Sequence, residues 1–224
     1  MTLFRQLLYR GSFTTVFLYF AVALVFGGCT SKEGKDDQEN RTAEPDLYVL
    51  EVTKDRKEKD LLLLTSDHSP LLPGDKDRFD GLAYYPVSRD YVFETVIQRH
   101  ESPREFMMNT SKGIPRKMLT IGYVEFDFAG KKNRLEVYAP ADTTNDEPYL
   151  FIPFTDATSG NETYGGGRYL DFSTETDSIM LDFNYAYNPY CAYNPGYDCP
   201  IPPAENHLDI AVRAGEKNYP LHAN

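Results

Sequence analysis

The chain has 224 residues, with 23 Lys and Arg against 34 Asp and Glu, a formal net charge of −11. So acidic a surface is a poor match for nucleic acid or an anionic membrane face, and it fits solubility or the attraction of cations better. There is no Trp, but there are 17 Tyr and 14 Phe, and together with β-branched residues in short runs they favour strands.

Residues 1–28 read as a targeting segment. Arg5 and Arg10 form a positive start, Phe13 to Phe26 is an apolar run, and Gly27-Gly28-Cys29 follows. The run falls short of the roughly 20 residues a membrane-spanning helix needs, which is the pattern of a cleaved signal. Cys29 after two glycines points to a lipoprotein, cleaved before Cys29, diacylated on it and held to a membrane by acyl chains. The alternative is a plain secretory signal with Cys29 as an ordinary thiol. Without residues 1–28 the chain keeps 21 basic against 34 acidic residues, a net charge of −13.

Residues 29–44 are polar and charged, with Ala43 the one aliphatic side chain after Cys29. They bury too little apolar surface to offset their ordering entropy, so a flexible acidic tether is expected. Ser31-Lys32-Glu33 and Lys35-Asp36-Asp37 resemble the charged export tags of surface lipoproteins in Bacteroidetes, although any solvated tether has this composition. Residues 45–224, about 180 residues, make one domain's worth of chain.

In that domain, Asp46 to Leu64 is the convincing helix, started by Pro45-Asp46 and placed as a lid or brace over a sheet. A Pro- and Gly-punctuated segment follows, with a first short strand over Leu82–Tyr85. Strand-length runs then recur at 91–98, 104–109, 117–128, 134–139, 149–154, 167–172, 178–184 and 208–214, separated by turn material at 111–113, 129–133 and 142–148. The alternation in 122–128 sets Val124, Phe126 and Phe128 on one face of a sheet and Tyr123, Glu125 and Asp127 on the other. The spacing predicts a mainly β fold, a meander forming an antiparallel sandwich or partly open barrel, with one N-terminal helix.

From Pro153 to Pro220 the chain crowds polar, aromatic, Gly and Pro residues together. The segments PF-x-D-x-TSG-x-ETYGGGRYLD (153–171), DFN-x-AYNP-x-C (182–191), CP-x-PP-x-EN-x-L (199–208) and AGEK-x-Y (214–219) carry a resemblance, joined by SPL (69–71) and F-x-GL-x-Y-x-P (79–86). The domain is similar to the bacterial family known as domain of unknown function 1684. That resemblance implies no settled activity, so function has to be argued from the residues.

Cys191 and Cys199 stand in a Tyr-, Asn- and Pro-rich loop of an exported chain, where a disulfide is the expected state. Zinc, with His207 or Asp198 as further ligands, is the alternative, but the spacing is not one zinc commonly uses. Gly165-Gly166-Gly167-Arg168 is followed by strand-like residues rather than the helix a phosphate loop needs, so the glycines are read as permitting positive φ or close backbone approach. Arg168, Asp171, Asp182, Asn184, Glu162 and Glu205 form a polar constellation, with Arg168 and Asp171 on opposite strand faces. A carboxylate fork from Glu162 or Asp182 is the expected partner for a buried Arg168.

This constellation is either a brace or a pocket floor walled by Tyr164, Tyr169, Tyr187 and Tyr193, with Glu205 and Asn206 positioned by Pro202-Pro203 and Asn206 capping backbone groups. The ligand-binding residues expected are Glu162, Tyr164, Arg168, Asp182, Asn184, Tyr193, Glu205 and Asn206. No cofactor, metal or nucleic acid is implied. Three readings follow: a binding module for a small polar or glycan-like ligand, a hydrolase using a carboxylate pair or Ser159 with His207, and a structural envelope protein.

Overall fold

In the computed structural model, residues 46–142, 149–174 and 176–222 are described. All lie in one compact unit that begins at Glu44. The expected signal at 1–28, the acylated Cys29, the tether to residue 44 and most of the turn at 142–148 lie outside the described residues.

The helix forms where the start signals place it, as α1, Leu47–Thr65. Asp46 caps it by accepting from the Tyr48 N–H at 3.0 Å, which satisfies one of the amides a helix start leaves free. Asp46 is also held by Arg89 at 2.8 Å. A four-residue helix α2, Pro73–Lys76, follows. The strands are β1 Val92–Val96, β2 Gln98–Met108, β3 Arg116–Phe128, β4 Lys131–Pro140, β5 Tyr149–Asp156, β6 Arg168–Ser173, β7 Ser178–Asp182 and β8 His207–Leu208.

Strands β2 to β6 lie side by side in chain order, the meander that the spacing predicts, and β8 adds to β5 in parallel. Strands β1 and β7 form a separate antiparallel pair. The sheets are mainly antiparallel and are not closed into a barrel.

The alternation in 122–128 is realised: Val124 and Phe126 are buried while Asp127 is exposed. A register shift between Thr120 and Gly122 leaves Ile121 as an extra residue against β4. An extra residue inverts which parity faces inward. Accordingly Leu119 and Ile121 before the bulge share the main core with Val124 and Phe126 after it. Met118, of the other parity, joins a second core with Met108, Tyr138, Phe151 and Tyr169 on the opposite face. The β1–β7 pair covers the main core, with Phe93 4.9 Å from Phe126 and 6.1 Å from Phe183, ring to ring.

Five boundaries differ from expectation. β2 runs through Pro103, with a register shift between Arg99 and Arg104, because β2 is an edge strand and an edge does not need every N–H in a ladder. β4 begins at Lys131, since Ala129 and Gly130 both take positive φ (53° and 72°) and close a two-residue hairpin. Leu82–Tyr85 gives one bridge, Tyr84 to Glu216, instead of a strand. The run at 178–184 stops at Asp182, whose carboxylate accepts the Asn184 N–H at 2.9 Å and starts a 3-10 turn, Phe183–Tyr185. Of the expected 208–214 strand only Leu208 is in β8, because the later carbonyls serve a side chain, as follows.

Candidate functional site

Arg168 opens β6 and is fully buried. Its place follows from register and period. Phe154 on β5 pairs with Arg168, and the next β5 residue on that face is Asp156. The Arg168 Nη2 atom donates to Asp156 Oδ1 at 3.3 Å and to the Val212 carbonyl at 2.8 Å; Nη1 donates to the Glu216 carbonyl at 3.2 Å and to that of Ala214. The guanidinium thus takes three carbonyls spaced two residues apart, which is why 212–216 does not extend a sheet. The Arg168 guanidinium also lies 5.2 Å above the Phe154 ring. Burial pulls its pKa down, opposed chiefly by Asp156.

Asp156 is the carboxylate fork, in place of Glu162 or Asp182. Besides Arg168, its oxygens accept from the Val212 N–H at 2.7 Å, the Thr158 hydroxyl at 2.9 Å and the Ser159 hydroxyl at 3.2 Å. Both hydroxyls of the segment D-x-T-S are therefore turned onto the aspartate. Gly167, just before Arg168, has φ 86°, and a Cβ there would fall 2.6 Å from the Phe154 carbonyl oxygen. Both reasons given for the glycine run apply at this one residue.

Glu216 anchors a second buried cluster. It is 1% exposed and paired with Lys59 of α1. It also accepts from the Tyr193 hydroxyl at 2.5 Å and the Asn188 N–H at 3.0 Å. Tyr193 is buried, and its hydroxyl pKa is pushed far up, first by burial and then by the Glu216 charge. Arg56 of α1 donates to the carbonyls of Tyr85 (2.8 Å) and Asn184 (3.1 Å) and lies 4.5 Å above the Tyr84 ring.

The remaining residues of the expected site are distributed. Asp182 and Asn184 stand together, receiving or reaching Tyr48 of α1 at 2.8 and 2.9 Å, and Asn184 is saturated by Ser88 as well. Glu162 is held by Arg213 at 2.8 Å and by the Tyr85 hydroxyl at 3.1 Å; Arg213 keeps its carboxyl below the usual range. Glu205 is exposed and meets Tyr138 at 3.3 Å. Asn206, fully buried, bonds the Glu136 N–H and carbonyl on β4 and the Pro153 carbonyl on β5. It spans two strands that pair only at Tyr138 and Phe151, beside a proline with no N–H to give. That is the backbone-capping role its position suggested.

The tyrosines expected as pocket walls are packed. Tyr169 packs edge-to-face between Phe151 (4.8 Å) and Tyr187 (5.7 Å) and gives its hydroxyl to the Pro200 carbonyl. The Tyr187 hydroxyl goes to Asp171 at 2.6 Å. Arg168 and Asp171 do lie on opposite faces, as their spacing requires.

The expected disulfide is not formed: Cys191 and Cys199 are free thiols. The Cys191 N–H donates to Cys199 Sγ at 3.2 Å, and the Tyr164 hydroxyl donates to Cys191 Sγ at 3.6 Å. The hydrogen bond from Cys199 brings the Cys191 thiol down to about 6, while the same bond and burial push Cys199 up. The zinc set does not assemble either. Asp198 is taken by the Lys112 N–H at 2.8 Å, and His207 by Thr155 at 2.9 Å. Among the described residues no group of three or more His, Cys, Asp or Glu is placed to hold a metal. Ser159 bonds Asp156 rather than His207, and Glu162, Asp182 and Glu205 each serve a different neighbour.

Four central residues were not picked from the sequence. Asp156 had a signal, since Asp followed by Thr or Ser two residues on is an aspartate-turn pattern, and Glu216 sits in a quoted motif. Lys59 and Arg56 lie within the charged run Asp55–Asp60 of the helix.

Comparison with known proteins supports a shared fold and no activity. The chain matches the solution NMR structure of an uncharacterized protein from gene locus rrnAC0354 of Haloarcula marismortui, at 34% identity and a TM-score of 0.60, over 76% of this chain and 94% of that one. No curated protein matches. Residues 77–217 match the family described as "Protein of unknown function (DUF1684)", and this chain belongs to that family.

Proposed function

We propose that this protein is a lipid-anchored, extracytoplasmic envelope domain, held to the outer membrane through Cys29, in which the motif-rich C-terminal third is a structural brace. The observation that carries the reading is Arg168, fully buried and committed to Asp156 and three backbone carbonyls. Both terminal nitrogens of the guanidinium are committed to protein acceptors, which leaves the buried Nε as its one atom without a partner. The carboxylates that a hydrolase would pair are each bonded elsewhere. The test has two arms in a bacterial host. Incorporation of labelled palmitate that disappears in Cys29→Ser supports the anchor, and unlabelled protein sinks it. Protease shaving of intact cells then separates a surface-facing from a periplasm-facing domain.

A second reading, the binding module for a small polar ligand, is favoured by one observation. Around Glu216, the Tyr84 hydroxyl, Asn188 Oδ1 and Arg56 Nε are buried without a protein hydrogen-bond partner, an expensive condition for polar atoms. A small polyol or sugar hydroxyl would satisfy them. Native mass spectrometry of the purified protein decides: retained mass that leaves on denaturation favours it, and a bare chain mass removes it.

A further inference from the structure

Helix α1 is apolar on the side that faces away from the domain. Leu47, Leu50, Leu61 and Leu64 are 80%, 49%, 59% and 39% exposed. With Lys54 and Lys57 they recur at spacings of three and four residues, the period of a coiled-coil seam. Leu50 and Leu61 border a shallow groove along the helix, lined by Thr53, Lys54, Lys57 and Glu58. A row of leucines on one face is more than the scattered apolar residues that any surface carries.

The order of the stripe identifies what covers it. Reversed end to end it is unchanged: Leu47 falls opposite Leu64, Leu50 opposite Leu61, and Lys54 opposite Lys57. A two-fold contact needs this property, since residue i must meet j while j meets i. At the axis Lys54 faces Lys57 of the second copy, a like-charge contact that Glu58 has to offset. Lys54 pairs with Glu58 of its own helix at 2.9 Å, and in the antiparallel arrangement Lys54 comes one position from Glu58 of a second copy, so the two pairs can exchange partners across the axis. Opposed helix dipoles favour the same orientation. We propose that the outer face of α1 is a homodimer seam, in which two copies pack their α1 helices antiparallel about a two-fold axis between Asp55 and Arg56. One helix pair makes a small interface, of the transient class.

The test uses the full chain in its own membrane and a short bis-maleimide cross-linker. Cells co-expressing distinguishably tagged Leu50→Cys and Leu61→Cys chains should give a cross-linked dimer carrying both tags. Leu50→Cys alone should give none, because its two copies would stand about 16 Å apart along the axis. Native Cys191 and Cys199 are controlled by the unsubstituted chain. In a second measurement, Leu50→Glu with Leu61→Glu should abolish cross-linking between Leu47→Cys and Leu64→Cys chains, while far-UV circular dichroism stays unchanged. Cross-links from Leu50→Cys alone, or from no pairing at all, would overturn the proposal. A Leu50→Cys thiol shielded by the membrane but never cross-linked would do so as well, and would assign the face to lipid instead.

Discussion

The two sides of α1 invert the usual arrangement of a surface helix. The side against the domain carries Tyr48, Arg56 and Lys59, each tied to a named buried group, with Val52 and Leu63 between them. The side facing away carries four leucines, interrupted by Lys54 and Lys57. Amphipathic helices normally bury the apolar stripe and expose the charges. What holds this helix down is a set of polar anchors, to Asp182, Tyr85, Asn184 and Glu216, reinforced by two buried aliphatics. Buried charge is costly unless paired, so the inner side should be intolerant of substitution and the outer side tolerant.

The largest effect should come from the brace itself. Asp156→Ala leaves the Arg168 charge buried without its carboxylate, and should cost about 3–5 kcal/mol, read as a fall in melting temperature of roughly 10 °C in a domain of this size. A loss within error of wild type would break the contrast. Glu216→Ala strips the partner from Lys59 and Tyr193 and should cost about 2–4 kcal/mol, less than Asp156→Ala because Lys59 is 20% exposed and can rehydrate. Asn206→Ala orphans backbone groups on β4 and β5 and should cost about 1–3 kcal/mol in denaturant unfolding. On the outer side, Leu50→Glu with Leu61→Glu should move stability by only about 0.5 kcal/mol or less for each substitution.

Two pH-dependent effects are smaller still. With its thiol at about 6, Cys191 should be alkylated by iodoacetamide at a rate that rises through pH 6 and levels off by neutrality. Cys199, whose thiol is pushed up, should stay unreacted throughout; equal labelling of both would contradict the arrangement. Glu162 is depressed in the fold by Arg213. Its contribution is therefore full above the ordinary glutamate value of 4.5 and fades as pH falls below it through the lower folded value. Arg213→Ala should flatten the acid limb of the stability profile there.

How much the sequence reveals follows the same division. Period-two alternation and turn residues made the meander readable, because each strand's inward face is a local property of its own residues. The helix start was readable from Asp46 for the same reason. The Ile121 bulge was not, since it exists only as a mismatch between β3 and β4. Arg168 could be recognised as needing a partner, but its partner is set by the β5–β6 register, which no single segment encodes. The 208–214 run has strand-like composition, yet its carbonyls are captured by Arg168. The inverted helix was hidden for a related reason: a Lys on a helix reads as solvated until Glu216, distant in sequence, is placed beside it.

The most direct measurement is a double-mutant cycle in chemical denaturation, with Asp156→Ala, Arg168→Ala and the two combined. If the pair is one unit of the brace, each single variant loses several kcal/mol and the double variant is little worse than either, a coupling of about 2–3 kcal/mol. Losses that simply add would show that the two residues do not act as one unit, and an Arg168→Ala variant as stable as the parent would show that Arg168 is not structural and would return it to the candidates for a binding site.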